Sequence, residues 1–299
     1  MKADSLPKRI RLKILFPAMA WLPEKIAYAL ANLIGWYDWR TKQSERSAIE
    51  KALHSIPVFG DRDITLWSRR YYQMMARDTL DCFRMPNFTP GNTNRLIRVN
   101  NAEALAAAKA AGNGVIMVIS HFGRFFMLGP GLKFSGLEFG MLTTDVDERN
   151  PHYDTIGRWY INTKLHNTQL FSRGTWITIG DDHRRIYRAL REGEIMLIAL
   201  DGMESNSSSR ILFPFLGGIL SLPEGIVRIA ATTGAKLVYA ATVDHGYGVE
   251  INIYGLPDDP RQAMGAAVGI LERDIIARPW HWWQWTGLGV LWQTETKQE

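Results

Sequence analysis

The segment Gly112-Asn-Gly114-Val115-Ile-Met-Val-Ile119-Ser120-His121-Phe-Gly123 decides the fold of this 299-residue chain. Its continuous apolar run, bounded by glycine, is typical of a strand that is buried on both faces. A second run of this kind, Ile195–Leu200, leads directly into Asp201. Around these runs the sequence predicts helices over 102–111, 150–165, 181–192 and 223–233, and strands over 137–142, 237–243 and 249–254. This alternation predicts an α/β fold with a mixed, mostly parallel sheet flanked by helices.

The first 90 or so residues have a different, helical pattern. Apolar residues recur there at helical spacing, most clearly over Ile64–Phe83. Pro86, Pro90 and Gly91 then mark a break in the chain. We therefore expect residues 1–90 to form a helical region that docks on an α/β domain over residues 91–299.

Composition and charge narrow the class of protein. The net charge of +5 is too small to predict a nucleic-acid partner, but it fits an anionic membrane surface or a phosphate-bearing substrate. The single cysteine, Cys82, cannot form an internal disulfide, which predicts a reducing compartment and a buried thiol. The histidines show no ligand spacing, so no metal site is expected.

The stretch Ile14–Trp36 is the best candidate for a membrane segment. Pro17, Pro23 and the charged pair Glu24-Lys25 interrupt it, so we do not expect it to span a bilayer. Basic residues precede it, but no small-residue cleavage site of a signal peptide follows. Two interpretations stay open: an amphipathic helix that lies in the membrane interface, and a soluble helix packed on the protein's own core.

Candidate active-site residues follow the two buried strands, because α/β proteins bind ligands beyond the carboxyl ends of their strands. One loop is Ser120–Arg124, and the other is Asp201–Glu204. His121 is a candidate general base, since an imidazole titrates near neutral pH and accepts a proton from a hydroxyl or an amine. The alternative is a histidine that only bonds a backbone carbonyl.

Several short blocks occur in a characteristic order: His121-Phe after the first strand, Asn150-Pro151 before a helix that carries Arg158, then Arg210-Ile-Leu-Phe-Pro214 and Pro223-Glu-Gly225. Over roughly residues 10–285 this order resembles the late acyltransferases of lipid A biosynthesis, the Kdo-dependent lauroyl/myristoyl transferases. It is also similar to relatives that acylate mannosylated phosphatidylinositol.

The resemblance implies an acyltransferase without a cofactor. Its donor would be an acyl carrier protein (ACP) or CoA thioester. Its acceptor would be a hydroxyl or an amine of a lipid, a glycolipid or a natural product. The protein would work as a peripheral enzyme at the cytoplasmic face of the bacterial inner membrane, with the carrier protein and the anionic membrane surface as partners.

The chain departs from the family motif His-x-x-x-x-Asp/Glu, in which the histidine deprotonates the acceptor and the acid supports the imidazolium. Phe126 stands at the position of the acid. Three explanations stay open. Asp201 or Glu204 supplies the acid from across the cleft; His121 works without an acid; or the protein is a catalytically inactive relative that binds acyl chains or serves as a membrane-associated assembly subunit.

The remaining candidates bind substrate. Arg124, Arg158 and Arg210 are candidates for a phosphate of the donor or of a lipid, since the guanidinium group suits bidentate contact; ordinary ion pairs are the alternative. Arg124 is favoured because it lies three residues from His121. Phe125 and Phe126 are interpreted as core or as the wall of an acyl-chain site. The run Pro279-Trp-His-Trp-Trp-Gln-Trp285 lacks the paired arginines of the family, which predicts a less charged acceptor.

Overall fold

The computed structural model describes residues 6–60, 62–144, 146, 153–202 and 209–294. The N-terminal region is helical, with α1 to α6 over Leu6–Ile10, Phe16–Met19, Glu24–Thr41, Gln43–His54, Ile64–Arg84 and Pro90–Leu96. A π-helical turn over Arg11–Leu15 joins α1 to α2. The later helices, α7 to α13, are Ala102–Ala110, Leu128–Phe134, Thr155–Gln169, Arg184–Arg191, Gly225–Thr233, Pro260–Ala277 and Leu288–Leu291.

The strands β1 to β10 form two sheets. They are Ile97–Asn100, Val115–Ile119, Gly140–Thr143, Trp176–Thr178, Ile195–Ala199, Arg210–Phe215, Gly218–Pro223, Lys236–Asp244, Val249–Gly255 and Trp292–Thr294. The central sheet has seven strands in the order β1-β9-β8-β2-β5-β3-β4. From β8 to β4 all neighbours are parallel, whereas β9 runs antiparallel to β8 and parallel to β1. The predicted mixed, mostly parallel sheet flanked by helices is confirmed.

The second sheet is small, antiparallel and was not predicted from the sequence. Its order is β10-β7-β6, and β6 and β7 form a hairpin. The turn between them places Leu216 and Gly217 in left-handed conformations, with φ of 53° and 75°. Trp292 of β10 donates from its indole to Phe215 O at 2.7 Å. This sheet therefore ties the C-terminal part of the chain to the body of the protein.

Each face of the central sheet carries its own hydrophobic core. Because successive side chains of a strand point to opposite faces, Ile116 and Val118 enter one core while Val115, Met117 and Ile119 enter the other. The N-terminal helices contribute to both cores. The boundary at residue 90 stays a prediction.

The predicted elements agree with the structure except at some of their ends. The strand predicted over 137–142 is β3, Gly140–Thr143, and the helix predicted over 181–192 is the shorter α10. Residues 150–152 of a further predicted helix lie outside the described residues, and α9 begins at Thr155. Cys82 is buried in α5, as expected. Within the described part of the chain, no helix combines the length and the apolar character needed to cross a bilayer.

Candidate active site

The register of two neighbouring strands brings His121 and Asp201 together. In the parallel pair β2 and β5, Ile119 lies opposite Ala199. Each chain continues for two residues beyond that pair, to His121 on one side and Asp201 on the other. The imidazole Nδ1 lies 2.8 Å from Asp201 Oδ1. A carboxylate thus contacts His121 from the adjacent strand end, whereas position 126 of the motif holds a phenylalanine.

Asp201 is completely buried, and the polar contacts of its carboxylate with described residues are all with donors. The backbone N–H of His121 donates to Oδ1 at 3.0 Å and to Oδ2 at 3.1 Å, and the indole N–H of Trp282 donates to Oδ2 at 2.9 Å. Burial alone would raise the pKa of Asp201, but the charge and hydrogen bonds of His121 and the bond from Trp282 outweigh it and hold this pKa below its ordinary value. Asp201 is therefore a carboxylate at neutral pH.

The charge of Asp201 determines the tautomer of His121. An ionised carboxylate only accepts hydrogen bonds, so the proton of the neutral imidazole is assigned to Nδ1. The lone pair is then on Nε2, the nitrogen that a general base uses. The side chain of His121 keeps 28% of its surface exposed, so a substrate can reach the ring.

A glycine makes the turn that places His121. Gly123 has a φ of +62°, which is left-handed. A Cβ atom at this position would lie 1.9 Å from the backbone oxygen of Thr242 in β8. Only glycine therefore fits here, because both the backbone angle and the space exclude a larger residue.

The C-terminal run folds back onto the His121 loop. Phe122 and Trp282 form an antiparallel β-bridge. Gly123 N donates to His281 O at 2.8 Å, and Trp283 N donates to His121 O at 2.9 Å. The Trp283 indole donates to Gly123 O at 2.8 Å. These bonds fix the loop between the sheet and the segment over 279–285.

Aromatic rings form one side of the site. The His121 ring meets Phe125 edge to face at a centroid distance of 5.1 Å, and Trp283 lies 6.2 Å from His121. Phe126 follows at 4.2 Å from Phe125. The ammonium group of Lys164 lies 4.1 Å from the Phe126 ring centre and 4.8 Å from that of Trp283. Phe125 therefore lies beside His121 and Phe126 follows it, and their role as an acyl-chain wall stays a prediction.

Lys164 is held in this position by Asp78. Both side chains are buried, and Asp78 Oδ2 accepts from the Lys164 ammonium. Burial raises the pKa of Asp78 to about 6, although the charge of Lys164 and its hydrogen bond act to lower it. Where the family motif has an acid, this chain therefore has a phenylalanine that packs under a lysine already paired with an acid from α5.

Arg124 lies in the core rather than in the cleft. Its Nε donates to Asp244 Oδ1 at 2.9 Å, its Nη1 to Asp81 Oδ2 at 2.9 Å and its Nη2 to Tyr247 O at 3.2 Å. The side chain is completely buried. These contacts favour the ion-pair interpretation over the predicted phosphate contact. The turn at Gly123 sends this side chain between α5 and β8, and a substrate-binding role of Arg124 stays a prediction.

The other predicted residues lie elsewhere or outside the described chain. Arg158, on α9, donates to Tyr153 O at 2.8 Å. Arg210, on β6, is exposed and donates to Ser221 Oγ at 2.7 Å. Among the described residues, the hydrogen bonds of these two side chains go to other groups than His121 and Asp201, and their substrate-binding roles stay predictions. Glu204 lies outside the described residues.

Two residues of the site were missed in the sequence. Trp282 bonds Asp201, as described above, and Gln284 Nε2 donates to Asp201 O at 2.7 Å. The signal was present as the tryptophan-rich run near the C-terminus, but nothing local in that run indicates a partner some 80 residues away. Within the described ranges, no three histidine, cysteine or acidic side chains converge as metal ligands would.

A cleft lies along the same edge of the sheet. It has a volume of about 270 Å³ and is lined by side chains at the ends of β3 and β4 and on α9, among them Thr143, Asn162, His166 and Trp176. Since β3 is the second strand from β2 and strands are spaced by about 4.8 Å, the cleft begins about 10 Å from the strand that carries His121. Its lining mixes polar and apolar groups.

Comparison with known proteins agrees with this geometry. The model of a protein family described as bacterial lipid A biosynthesis acyltransferase matches residues 12–287. The chain belongs to this family. The matched region contains both strands that carry His121 and Asp201, and also Trp282 and Gln284. No curated protein matches the chain closely enough to serve as a named relative.

Proposed function

We propose that this protein transfers an acyl group from an acyl-ACP or acyl-CoA thioester to a hydroxyl or an amine of a lipid, glycolipid or natural-product acceptor. His121 is the general base, and Asp201 is its acidic partner. The observation that carries the proposal is the 2.8 Å contact between His121 Nδ1 and Asp201 Oδ1 at the carboxyl ends of adjacent strands. Family membership supports the reaction class.

The reaction begins with the free nitrogen of His121. Nε2 takes the proton of the acceptor hydroxyl as its oxygen attacks the thioester carbonyl, so one C–O bond forms and a tetrahedral intermediate results. The C–S bond then breaks. The imidazolium returns its proton to the departing thiolate, and the products are the acyl ester and a free thiol. For an amine acceptor the new bond is an amide.

Asp201 stabilises the charge that forms on His121 during the attack. The imidazolium lies next to a carboxylate that is buried away from water, where an electrostatic interaction is stronger than in solution. In this proposal Asp201 itself is not protonated; its lowered pKa supports that role. The arrangement corresponds to the base and orienting acid of a catalytic triad whose nucleophile is the substrate.

The test of this proposal is a transfer assay with His121→Ala. Wild-type protein is incubated with a series of acyl-ACP and acyl-CoA donors and with acceptors that carry glycerol, sugar or amine head groups, and the products are identified by mass spectrometry. We expect transfer by the wild type and a loss of about 100-fold or more in the variant. His245→Ala, at a partly exposed histidine paired with Glu250, is the matched control. Equal rates in His121→Ala and the wild type would remove His121 from the mechanism.

A catalytically inactive relative is the second candidate, and Phe126 at the motif's acid position favours it. Such a protein would bind acyl chains or serve as a membrane-associated assembly subunit. It would bind acyl-ACP without turnover, in the wild type and in His121→Ala alike. Turnover that depends on His121 would exclude this candidate.

We also propose that the N-terminal helices rest on an anionic membrane surface. Large exposed apolar side chains are concentrated there: Trp21 is 79% exposed, and α3 presents a stripe at helical spacing, namely Ile26, Leu30, Leu33 and Tyr37. Exposed basic residues flank the stripe, among them Lys13, Lys25 and Arg40. An apolar face bordered by basic residues is typical of interfacial helices. Peripheral attachment at the cytoplasmic face of the inner membrane follows from this proposal and from the family's lipid substrates.

Vesicle sedimentation tests the membrane proposal. The purified protein is mixed with phosphatidylcholine vesicles, with and without phosphatidylglycerol. We expect binding that increases with the anionic lipid and decreases with salt, and that is strongly reduced in Trp21→Ser/Leu33→Ser. Leu212→Ser is the control, because Leu212 is 64% exposed on β6, away from this face. Equal loss of binding in the control and the double variant would contradict the assignment of the surface.

A further inference from the structure

The two oxygens of Asp201 have different partners. Oδ1 faces His121 Nδ1 at 2.8 Å, and Oδ2 accepts from the Trp282 indole at 2.9 Å. The backbone N–H of His121 does not distinguish them, since it lies 3.0 Å from one and 3.1 Å from the other. Among the residues that the structure describes, Trp282 is the side chain that gives Oδ2 a hydrogen-bond donor different from that of Oδ1.

Two different donors are needed to fix the plane of the carboxylate, because a carboxylate has little intrinsic preference for one orientation. The terminal torsion of aspartate is broad, so its plane rotates unless both oxygens are held. Trp282 is itself immobilised: it is completely buried, and its ring packs edge to face against Phe215 at 5.7 Å and Trp285 at 4.9 Å. A fixed indole N–H therefore determines the plane of the Asp201 carboxylate.

We propose that Trp282 is a positioning residue of the acyl transfer reaction. Its N–H holds Oδ2 and thereby directs Oδ1 at His121 Nδ1, which keeps the imidazole in the tautomer that leaves Nε2 free. This inference rests on the proposed function of His121 as the base. It assigns to the C-terminal aromatic run a part in the chemistry, in addition to its packing.

Gln284 contacts both members of the His121–Asp201 pair. Its Nε2 donates to the backbone oxygen of Asp201 at 2.7 Å and lies 3.2 Å from His121 Nδ1. Because Nδ1 carries the proton in the active tautomer, this second approach is a contact and not a hydrogen bond. Gln284 thus fixes the backbone of Asp201 and fills the space beside Nδ1, while Trp282 fixes the carboxylate.

The test compares two buried tryptophans of the C-terminal part of the chain. Trp282→Phe removes the N–H that bonds Asp201, whereas Trp292→Phe removes a buried indole N–H that bonds Phe215 O at 2.7 Å. Both substitutions delete the same atoms from buried rings. We expect kcat to fall about 10- to 100-fold in Trp282→Phe with little change in KM, and to remain within about threefold of the wild type in Trp292→Phe. Equal loss in both variants, or none in Trp282→Phe, would overturn the proposal.

A second variant separates the hydrogen bond from the packing. Benzothienylalanine, incorporated at position 282, keeps the bicyclic shape of tryptophan and replaces N–H by sulfur, so the core stays filled. This variant keeps the proposal testable even if Trp282→Phe fails to fold. We expect the same loss of kcat as in Trp282→Phe, with a thermal midpoint close to that of the wild type. Wild-type kcat in this variant would show that Trp282 acts through its volume alone.

A readout without turnover distinguishes failure of this proposal from failure of the proposed function. The Nδ1–H proton of a histidine bonded to a carboxylate gives a downfield proton NMR resonance, which His121→Ala identifies by its disappearance. We expect this resonance to broaden or move upfield when the N–H at position 282 is removed and to persist in Trp292→Phe. An unchanged resonance refutes the positioning role even if the wild type shows no transfer. A shifted resonance in a protein without transfer supports the positioning and refutes only the proposed reaction.

Discussion

Replacement of Asp201 by asparagine is the most informative perturbation of the site. The substitution keeps the size of the side chain but removes the charge and one of the two acceptor atoms. Three N–H groups point at the carboxylate, from the backbone of His121, its Nδ1 and the indole of Trp282. Asparagine offers them one oxygen and an amide nitrogen that is itself a donor. At least one donor then faces another donor inside the protein.

The expected loss of kcat in Asp201→Asn follows from the loss of at least one of these hydrogen bonds. A hydrogen bond to a charged group is worth about 1.5–3 kcal/mol, which corresponds to about 10- to 150-fold in rate. If the amide nitrogen faces His121, the imidazole proton moves to Nε2 and the base is blocked, and the corresponding change in a serine protease lowers kcat by about 10⁴. We therefore expect kcat of Asp201→Asn to fall about 10²- to 10⁴-fold, with KM changed by less than about threefold.

The assay is single-turnover transfer from the best acyl-ACP donor, followed by mass spectrometry of the acylated product. Asp274→Asn is the control, because Asp274 is also buried and lies on α12 rather than next to His121. The double variant His121→Ala/Asp201→Asn should be no slower than His121→Ala, since residues that act as one unit are not additive. A kcat for Asp201→Asn within threefold of the wild type would refute the role of Asp201.

Three further predictions concern the same region. Phe126→Glu is expected to give no gain in kcat, because in the proposed mechanism Asp201 supplies the acid, and because Lys164 is already paired with Asp78. A rise of tenfold in the transfer assay would show that the motif's acid position still matters. Gly123→Ala is expected to lower the free energy of unfolding, measured by urea titration, by about 2 kcal/mol or more, because its Cβ would lie 1.9 Å from Thr242 O. An unchanged free energy of unfolding would contradict the turn. The pKa of Asp201 is lowered on folding, so its contribution to the free energy of unfolding is present above the unfolded value of about 3.9 and is lost as pH falls through the lower folded value. Urea titrations from pH 7 to pH 2 should show the wild type losing its advantage over Asp201→Asn in that window, and parallel curves would exclude this linkage.

The sequence predicted five of the seven strands of the central sheet, and it missed the short strands β1 and β4. The runs that became β2 and β5 are continuously apolar, and a polar residue follows each within two positions, so both the strands and the candidate site beyond their ends were recognisable. The hairpin of β6 and β7 was not predicted, although Arg210–Phe215 alternates between exposed and buried positions. Such alternation is typical of a strand with one solvent-exposed face.

The candidate site was predictable only where neighbouring strands determine it. Asp201 was one of two candidates for the partner of His121, and the parallel register of β2 and β5 explains its choice. Trp282 was not predictable, because its contact with Asp201 depends on how the chain returns after α12. The position of Arg124 was not predictable either. It lies three residues from His121 in the sequence, but a glycine turn and acids on α5 and β8 decide the direction of its side chain.

The distance along the chain between Asp201 and Trp282 has a consequence for synthesis on the ribosome. The two residues are separated by 81 positions. At 5–20 residues per second, the indole is added about 4–16 s after the carboxylate. The proposed membrane face of α1 to α3 is made long before either residue. If both proposals hold, a nascent chain reaches the bilayer while its candidate active site is still incomplete, and the proposed transfer activity is among the last properties that it acquires.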